Sequence, residues 1–181
     1  MSNNTDKLFQ PFSVNSLTLK NKTVMAPMTR AFSPNNVPTK EVAAYYRRRA
    51  EGNVGLIITE GTFISHKGSN GYENVPAIHG EAALAGWKHV VDEVHAAGGK
   101  IAPQLWHVGS VRKLGTGPDK TIPAYSPSGL WYAGRVLEER SAAVFINSSA
   151  ISKSCFLTLA LRACHAAPPS LSSLLPPSSP L

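Results

Sequence analysis

A chain of 181 residues with 43% apolar content is long enough for one domain with a core and too short for two large ones. Its formal charge of +7 comes from 18 Lys and Arg against 11 Asp and Glu, and the one dense basic cluster is Arg47-Arg48-Arg49. That cluster lacks the interleaved aromatics of a single-strand nucleic-acid binder and reads as a solvated helix face.

No apolar run approaches the ~20 residues that a bilayer demands. Met1–Asp6 carries no basic segment followed by an apolar one, so no secretory leader is expected. Cys155 and Cys164 alone make neither a disulfide framework nor a zinc site. The reading is a reduced, cytoplasmic protein with no metal, no nucleic-acid partner and no membrane.

In chain order, Phe12–Asn21 alternates weakly through Val14, Leu17 and Leu19 and predicts a short hairpin. Thr23–Ala26 follows as a small strand stopped by Pro27. Pro34–Pro38 is a loop, after which Thr39 is placed to cap a helix carrying Val42, Tyr45, Tyr46 and Arg49, closed by Gly52. Val54–Thr59 is a β-branched run expected to be buried on both faces. Glu60–Gly80 reads as a long functional loop. Glu81–Ala97 is the clearest helix, with Leu84, Trp87, Val91 and Val94 on one face and Gly98-Gly99 at its end. Lys100–Trp106 is the third strand.

The composition then changes. All 14 Gly precede Ser141, and the residues from there to Leu181 hold no acid and only Lys153 and Arg162 as charges. This Ser/Pro/Leu-rich stretch has neither a helix nor a strand period and is expected to be disordered, apart from a short helix around Cys155–Cys164. The division expected is residues 1–130 as one folded part and residues 131–181 as a divergent tail.

Strand, helix, strand, helix, strand is the pattern of a parallel α/β fold. An open dinucleotide-binding sheet requires G-x-G-x-x-G after its first strand. Here that strand ends Ala26-Pro27-Met28-Thr29-Arg30, with no Gly, so a (β/α)8 barrel is preferred. Barrel function sits at the C-terminal strand ends. Those ends carry Pro27–Arg30, Thr59-Glu60-Gly61 and Gln104–His107, which supply a hydroxyl, a close-approach glycine, a carboxamide and a flat aromatic. The set suits a planar, uncharged heteroaromatic ligand. It lacks the paired carboxylates of a glycosidase and a His/Cys/Asp metal cluster. His89 and His95 share no helix face, and His66 and His79 read as solvated loop residues.

Four segments in order carry a specific resemblance: Ala26–Arg30, Ile57–Ser65, Gly71–Pro76 and Gln104–Gly109. From about Leu8 to about Gly129 the chain resembles the N-terminal part of the old yellow enzyme family, FMN-dependent NAD(P)H:flavin oxidoreductases and ene-reductases. The resemblance implies an α/β TIM-type (β/α)8 barrel, of which about three of eight units are present. It implies FMN as cofactor and NAD(P)H as reductant, with hydride passing from the reduced flavin to an activated alkene such as an enone. Pro27, Met28, Thr29, Gly61 and Gln104 match the family's flavin-contacting positions; Trp106 and Tyr72 match its substrate pocket.

The family's His-x-x-Asn or His-x-x-His pair, its proton-donating Tyr and its phosphate-holding loops have no matching position here. No catalytic proton donor is therefore assigned, and the 181-residue chain is expected to be inactive or weakly active and to self-associate through open strand edges. The alternative, from another class, is a catalytically inactive truncated product or a small interaction protein built on a barrel fragment. Colour separates the two, since a flavoprotein is yellow.

Overall fold

The computed structural model describes residues 4–127, 130–132, 135–136 and 144–145. Asn4–Phe9 is a 3-10 turn leading into the expected hairpin, strands β1 (Phe12–Val14) and β2 (Leu17–Leu19), paired antiparallel. The residues then form β3 (Val24–Met25), α1 (Lys40–Glu51), β4 (Leu56–Phe63), α2 (Glu81–Ala96) and β5 (Lys100–Trp106). Strands β3, β4 and β5 lie side by side in that order, all parallel. The β-α-β-α-β order read from the sequence is the observed one.

Local chemistry sets each boundary. The Val42 N–H donates to the Thr39 hydroxyl at 3.5 Å, as an N-cap residue should, and Gly52 ends the helix. Asn21, buried, ties the two first strands to α1: its amide donates to the Asn53 carbonyl at 2.7 Å, and its carbonyl oxygen accepts the Thr23 N–H at 3.0 Å. Gly55 fits beside it only because a Cβ there would fall 2.6 Å from the Asn21 carbonyl oxygen.

Both helices cover one face of the sheet. Val42, Tyr46 and Ala50 of α1 meet Trp87, Val90 and Val94 of α2 over Ile57 and Ile101 in the main core. The buried face of α2 is rotated from the predicted one: Ala83 and Val90 are buried, while Leu84 and Val91 are half-buried. Close approach explains the rotation. A Cβ on Gly86 would sit 2.5 Å from the Pro38 carbonyl oxygen, so small residues of α2 face the chain leading into α1. The Arg47-Arg48-Arg49 cluster is partly absorbed by neighbours. Arg47 pairs with Glu51 and Glu93 at 2.8 and 2.7 Å, and Arg49 stacks on the Tyr45 ring.

β4 departs from the sequence reading in two ways. Leu56 and Ile58 are only half-buried, and the strand runs on through Glu60-Gly61-Thr62-Phe63, residues that the sequence assigns to a loop. The segment after it is held to the sheet by a bridge between Phe63 and Ala77 and by the Trp87 indole N–H, which donates to the Ala77 carbonyl at 2.8 Å.

Beyond β5, a 3-10 turn at Gly109–Val111 precedes β6 (Tyr125–Ser126), β7 (Leu130–Tyr132), β8 (Arg135–Val136) and β9 (Val144–Phe145). β7 pairs antiparallel with β8, and β9 lies parallel to β6. The expectations for the tail, including the helix around Cys155–Cys164, otherwise lie outside the described residues. Among the described residues no helix is long and apolar enough to cross a membrane.

Candidate functional site

The site lies at the C-terminal ends of β4 and β5. Across β4 and β5 the register places Ile58 opposite Ala102, Gly61 opposite Gln104, and Phe63 opposite Trp106. The pairing shifts between Ile58 and Gly61, which marks a bulge at Thr59-Glu60. Side chains take up backbone groups that the bulge removes from the ladder. The Gln104 N–H donates to the Thr59 hydroxyl at 3.1 Å, and the Glu60 N–H donates to the Tyr46 hydroxyl at 2.9 Å. The Glu60 carbonyl accepts from the Thr59 and Thr62 hydroxyls at 2.8 and 3.0 Å. This network holds Gln104, its side chain exposed, directly across from Gly61.

Trp106 covers the glycine. A Cβ on Gly61 would meet the indole, 2.7 Å from its Cδ2. The Tyr72 ring stacks on the same indole, with centroids 5.3 Å apart and planes 18° from parallel. Gly61, Gln104, Trp106 and Tyr72 are thus one cluster, although Tyr72 comes from a segment remote in sequence from β5.

Pro27, Met28 and Thr29 form an exposed strap after β3. The ladder pairs Met25 with Ile57 at its start. At its end the N–H groups of Arg30 and Ala31 donate to one carboxylate oxygen of Glu60, at 3.1 and 3.2 Å. The Arg30 guanidinium lies 3.6 Å from the other oxygen and stacks on the Tyr45 ring, 3.5 Å from its centroid. Burial pushes the Tyr46 hydroxyl up to about 12.

The sequence reading places Thr59 and Glu60 at this strand end without giving either a role, and it places Tyr46 only on a helix face. A carboxylate inside a β-branched run followed by Gly is the one signal that pointed to them.

A second cluster flanks the first. The Gly109 N–H donates to Nδ1 of His107 at 3.0 Å, which assigns that ring's proton to Nε2. Nε2 lies 2.9 Å from Nδ1 of His66, itself an acceptor from the Gly68 N–H at 3.2 Å, and Tyr125 packs edge-on against His66. His66 is the exposed loop residue that the sequence suggests, and it is bonded to His107 as well. Burial, with the His66 ring adding to it, holds His107 below the ordinary imidazole value. Among the described residues no three His, Cys, Asp or Glu groups are arranged to hold a metal. A cavity of about 410 Å³ beside α1 is lined by Arg30, Phe32, Tyr45 and Arg48, and by neither Gly61 nor Gln104.

The donor set fits a flat heteroaromatic with polar edges. A backbone stretch without a Cβ stands at the centre, a carboxamide stands opposite it, and a hydroxyl is offered from the strap.

The NADH:flavin oxidoreductase / NADH oxidase family matches residues 7–154, which runs past the compositional change. The chain is 47% identical over 104 residues to chanoclavine-I aldehyde reductase of Penicillium roqueforti, covering 57% of this chain and 28% of that protein. Morphinone reductase, solved with tetrahydroNAD, superimposes with a TM-score of 0.67 at 40% identity, over 78% of this chain and 41% of that one. The old yellow enzyme homologue of Zymomonas mobilis gives 0.64 at 32% identity, over 79% and 40%. The chain therefore spans between about a quarter and two fifths of the length of these relatives. The family uses FMN, with NAD(P)H as reductant. By sequence and by fold, the chain belongs to the NADH:flavin oxidoreductase / NADH oxidase family, the family of old yellow enzyme, and matches its N-terminal part.

Proposed function

We propose that the chain supplies the first part of the flavin site of an ene-reductase, acting on an alkene conjugated to a carbonyl. The observation that carries the reading is the pairing of Gly61 with Gln104 at the ends of β4 and β5, under an indole stacked on Tyr72. FMN, when bound, supplies the hydride. Gln104 offers a donor and an acceptor in one plane, matching an imide-like edge. Thr29 offers a hydroxyl to a ring carbonyl, from a strap anchored at both ends. Pro27 and Met28 provide the apolar border of that strap, and Gly61 allows a ring to lie close to the backbone. Trp106 and Tyr72 form an aromatic wall that excludes water from one side.

The boundary near residue 130 belongs to the same proposal, with the site carried by residues 1–130. So does the incomplete barrel, since the described ladder holds the first three parallel strands and no more. Titrating the purified chain with FMN, followed by flavin fluorescence, tests the reading. Binding with a yellow absorbance is expected, weakened at least tenfold by Gln104→Ala, while Thr29→Ala shifts the reduction potential of the bound flavin. A colourless, folded chain that takes up no FMN at high concentration refutes it and leaves the inactive or interaction-protein reading.

A further inference from the structure

The strap carrying Thr29 is short, exposed and outside any regular element, yet its end is fixed by a fully buried side chain. Oε2 of Glu60 receives two successive N–H groups, those of Arg30 and Ala31, at 3.1 and 3.2 Å. Ala31 has φ 57°, a left-handed conformation that costs a non-glycine residue free energy and persists only where its surroundings enforce it. Successive N–H groups converging at such a turn form an anion-binding nest, and here the anion is the protein's own carboxylate.

The position of that carboxylate is set in turn. The Glu60 N–H is bonded to the Tyr46 hydroxyl of α1, and its carbonyl to Thr59 and Thr62. Its Oε1 faces the Arg30 guanidinium at 3.6 Å, and Nε of Arg30 has no hydrogen-bond partner. The guanidinium is held between this carboxylate and the Tyr45 ring.

We propose that Glu60 is a positioning residue for the flavin reaction: it clamps the Arg30-Ala31 turn and so fixes where Thr29 meets the flavin. The proposal rests on the flavin reading above. Glutamine at this position keeps the volume but supplies one acceptor oxygen and an NH2 group that repels either the two backbone donors or the guanidinium. Asparagine and alanine add a cavity and are less clean.

The test has two independent readouts. Amide exchange of the full chain, resolved by NMR, is measured for wild type, Glu60→Gln and Ala31→Pro. The last deletes one donor of the nest and forbids φ 57° without touching Glu60, so it serves where Glu60→Gln fails to fold. Exchange of the Arg30 amide is expected to accelerate at least tenfold in both variants, and that of Ala31 in Glu60→Gln, with Ile57 and Ile101 unchanged. The reduction potential of bound flavin is then measured for Glu60→Gln, Thr29→Ala and the double variant. Glu60→Gln is expected to shift it in the same direction as Thr29→Ala, and the double variant to shift it no further than the larger single change.

Unaltered exchange at Arg30 and Ala31 overturns the clamp. Altered exchange with fully additive shifts in potential overturns its link to Thr29. If the wild-type chain binds no FMN, the flavin reading fails, while the exchange data alone uphold or sink the clamp.

Discussion

Replacing Gly61 with Ala probes the centre of the site with a single methyl group. The new Cβ would fall against Cε3 of Trp106, closer still than the 2.7 Å that separates it from Cδ2, where an ordinary carbon contact needs ~3.5–4.0 Å, so the indole must withdraw by more than ~1 Å. It cannot withdraw freely, because Tyr72 stacks on it at a centroid distance of 5.3 Å. Either the strand absorbs the overlap, at ~1–3 kcal/mol for overpacking, or the indole swings away and forfeits a stacked pair worth ~0.5–1.5 kcal/mol along with its burial.

Both routes lower stability, by about 1–3 kcal/mol and roughly 2–12 °C in Tm for a chain of this size. Thermal unfolding and near-ultraviolet circular dichroism read the two consequences separately. Gly80→Ala is the control: φ there is 81°, and nothing lies within 4 Å of a Cβ, so its cost is purely conformational and the aromatic signal should not change. Trp106→Ala sharpens the logic. In that background Gly61→Ala should become nearly neutral for stability, while still weakening FMN if the glycine also faces the flavin. An unchanged Tm and an unchanged aromatic signal in Gly61→Ala would refute the reasoning.

Stability should depend on pH at both ends. His79, His95 and His107 are all held below the ordinary value of 6.5, foremost by burial, so the folded chain binds fewer protons than the unfolded one. Stability is then full above pH 6.5 and falls below it, and His107→Gln should flatten part of that fall; a urea midpoint at pH 5 matching that at pH 8 contradicts this. Tyr46 moves the other way: with its hydroxyl raised from 10.0 to about 12, its contribution of about 2–3 kcal/mol is full below pH 10 and lost as pH rises through about 12. Among the described residues β3 and β5 each pair with β4 alone, so the 181-residue chain should self-associate through these edges. Val24→Lys, at a position 54% exposed on β3, should reduce that in sedimentation velocity, and a wild-type monomer at tens of micromolar would rule it out.

The parts of the fold that were legible in the sequence are those governed by neighbours in the chain. Thr39 caps α1 because its hydroxyl needs only the N–H three residues on, and Gly52 ends the helix for a similarly local reason. The buried face of α2 was misread because its rotation is decided by Gly86 meeting Pro38, a contact across 48 positions of chain that no periodicity encodes. The sequence ends β4 at Thr59 because Glu60 and Gly61 are poor strand formers by propensity. What keeps them in the sheet is Tyr46 from α1 and the Thr59 hydroxyl bridging to Gln104.

The same distinction divides the site. Thr29, Gly61, Gln104 and Trp106 stood out because each is an unusual residue at the end of an apolar run, where a parallel sheet exposes its edge chemistry. Glu60 enters the sequence reading only as a neighbour of Gly61 at a strand end, because nothing close to it in the chain shows what its carboxylate holds. Its partners Arg30 and Ala31 precede it by about thirty positions, and the left-handed turn that they share is invisible in an Arg-Ala dipeptide. A buried carboxylate without partners would cost several kcal/mol, so folding the chain with Glu60 inside requires the Arg30-Ala31 turn to close on it. The requirement that makes Glu60 tolerable in the core is therefore the same one that fixes the end of the strap, and with it the reach of Thr29.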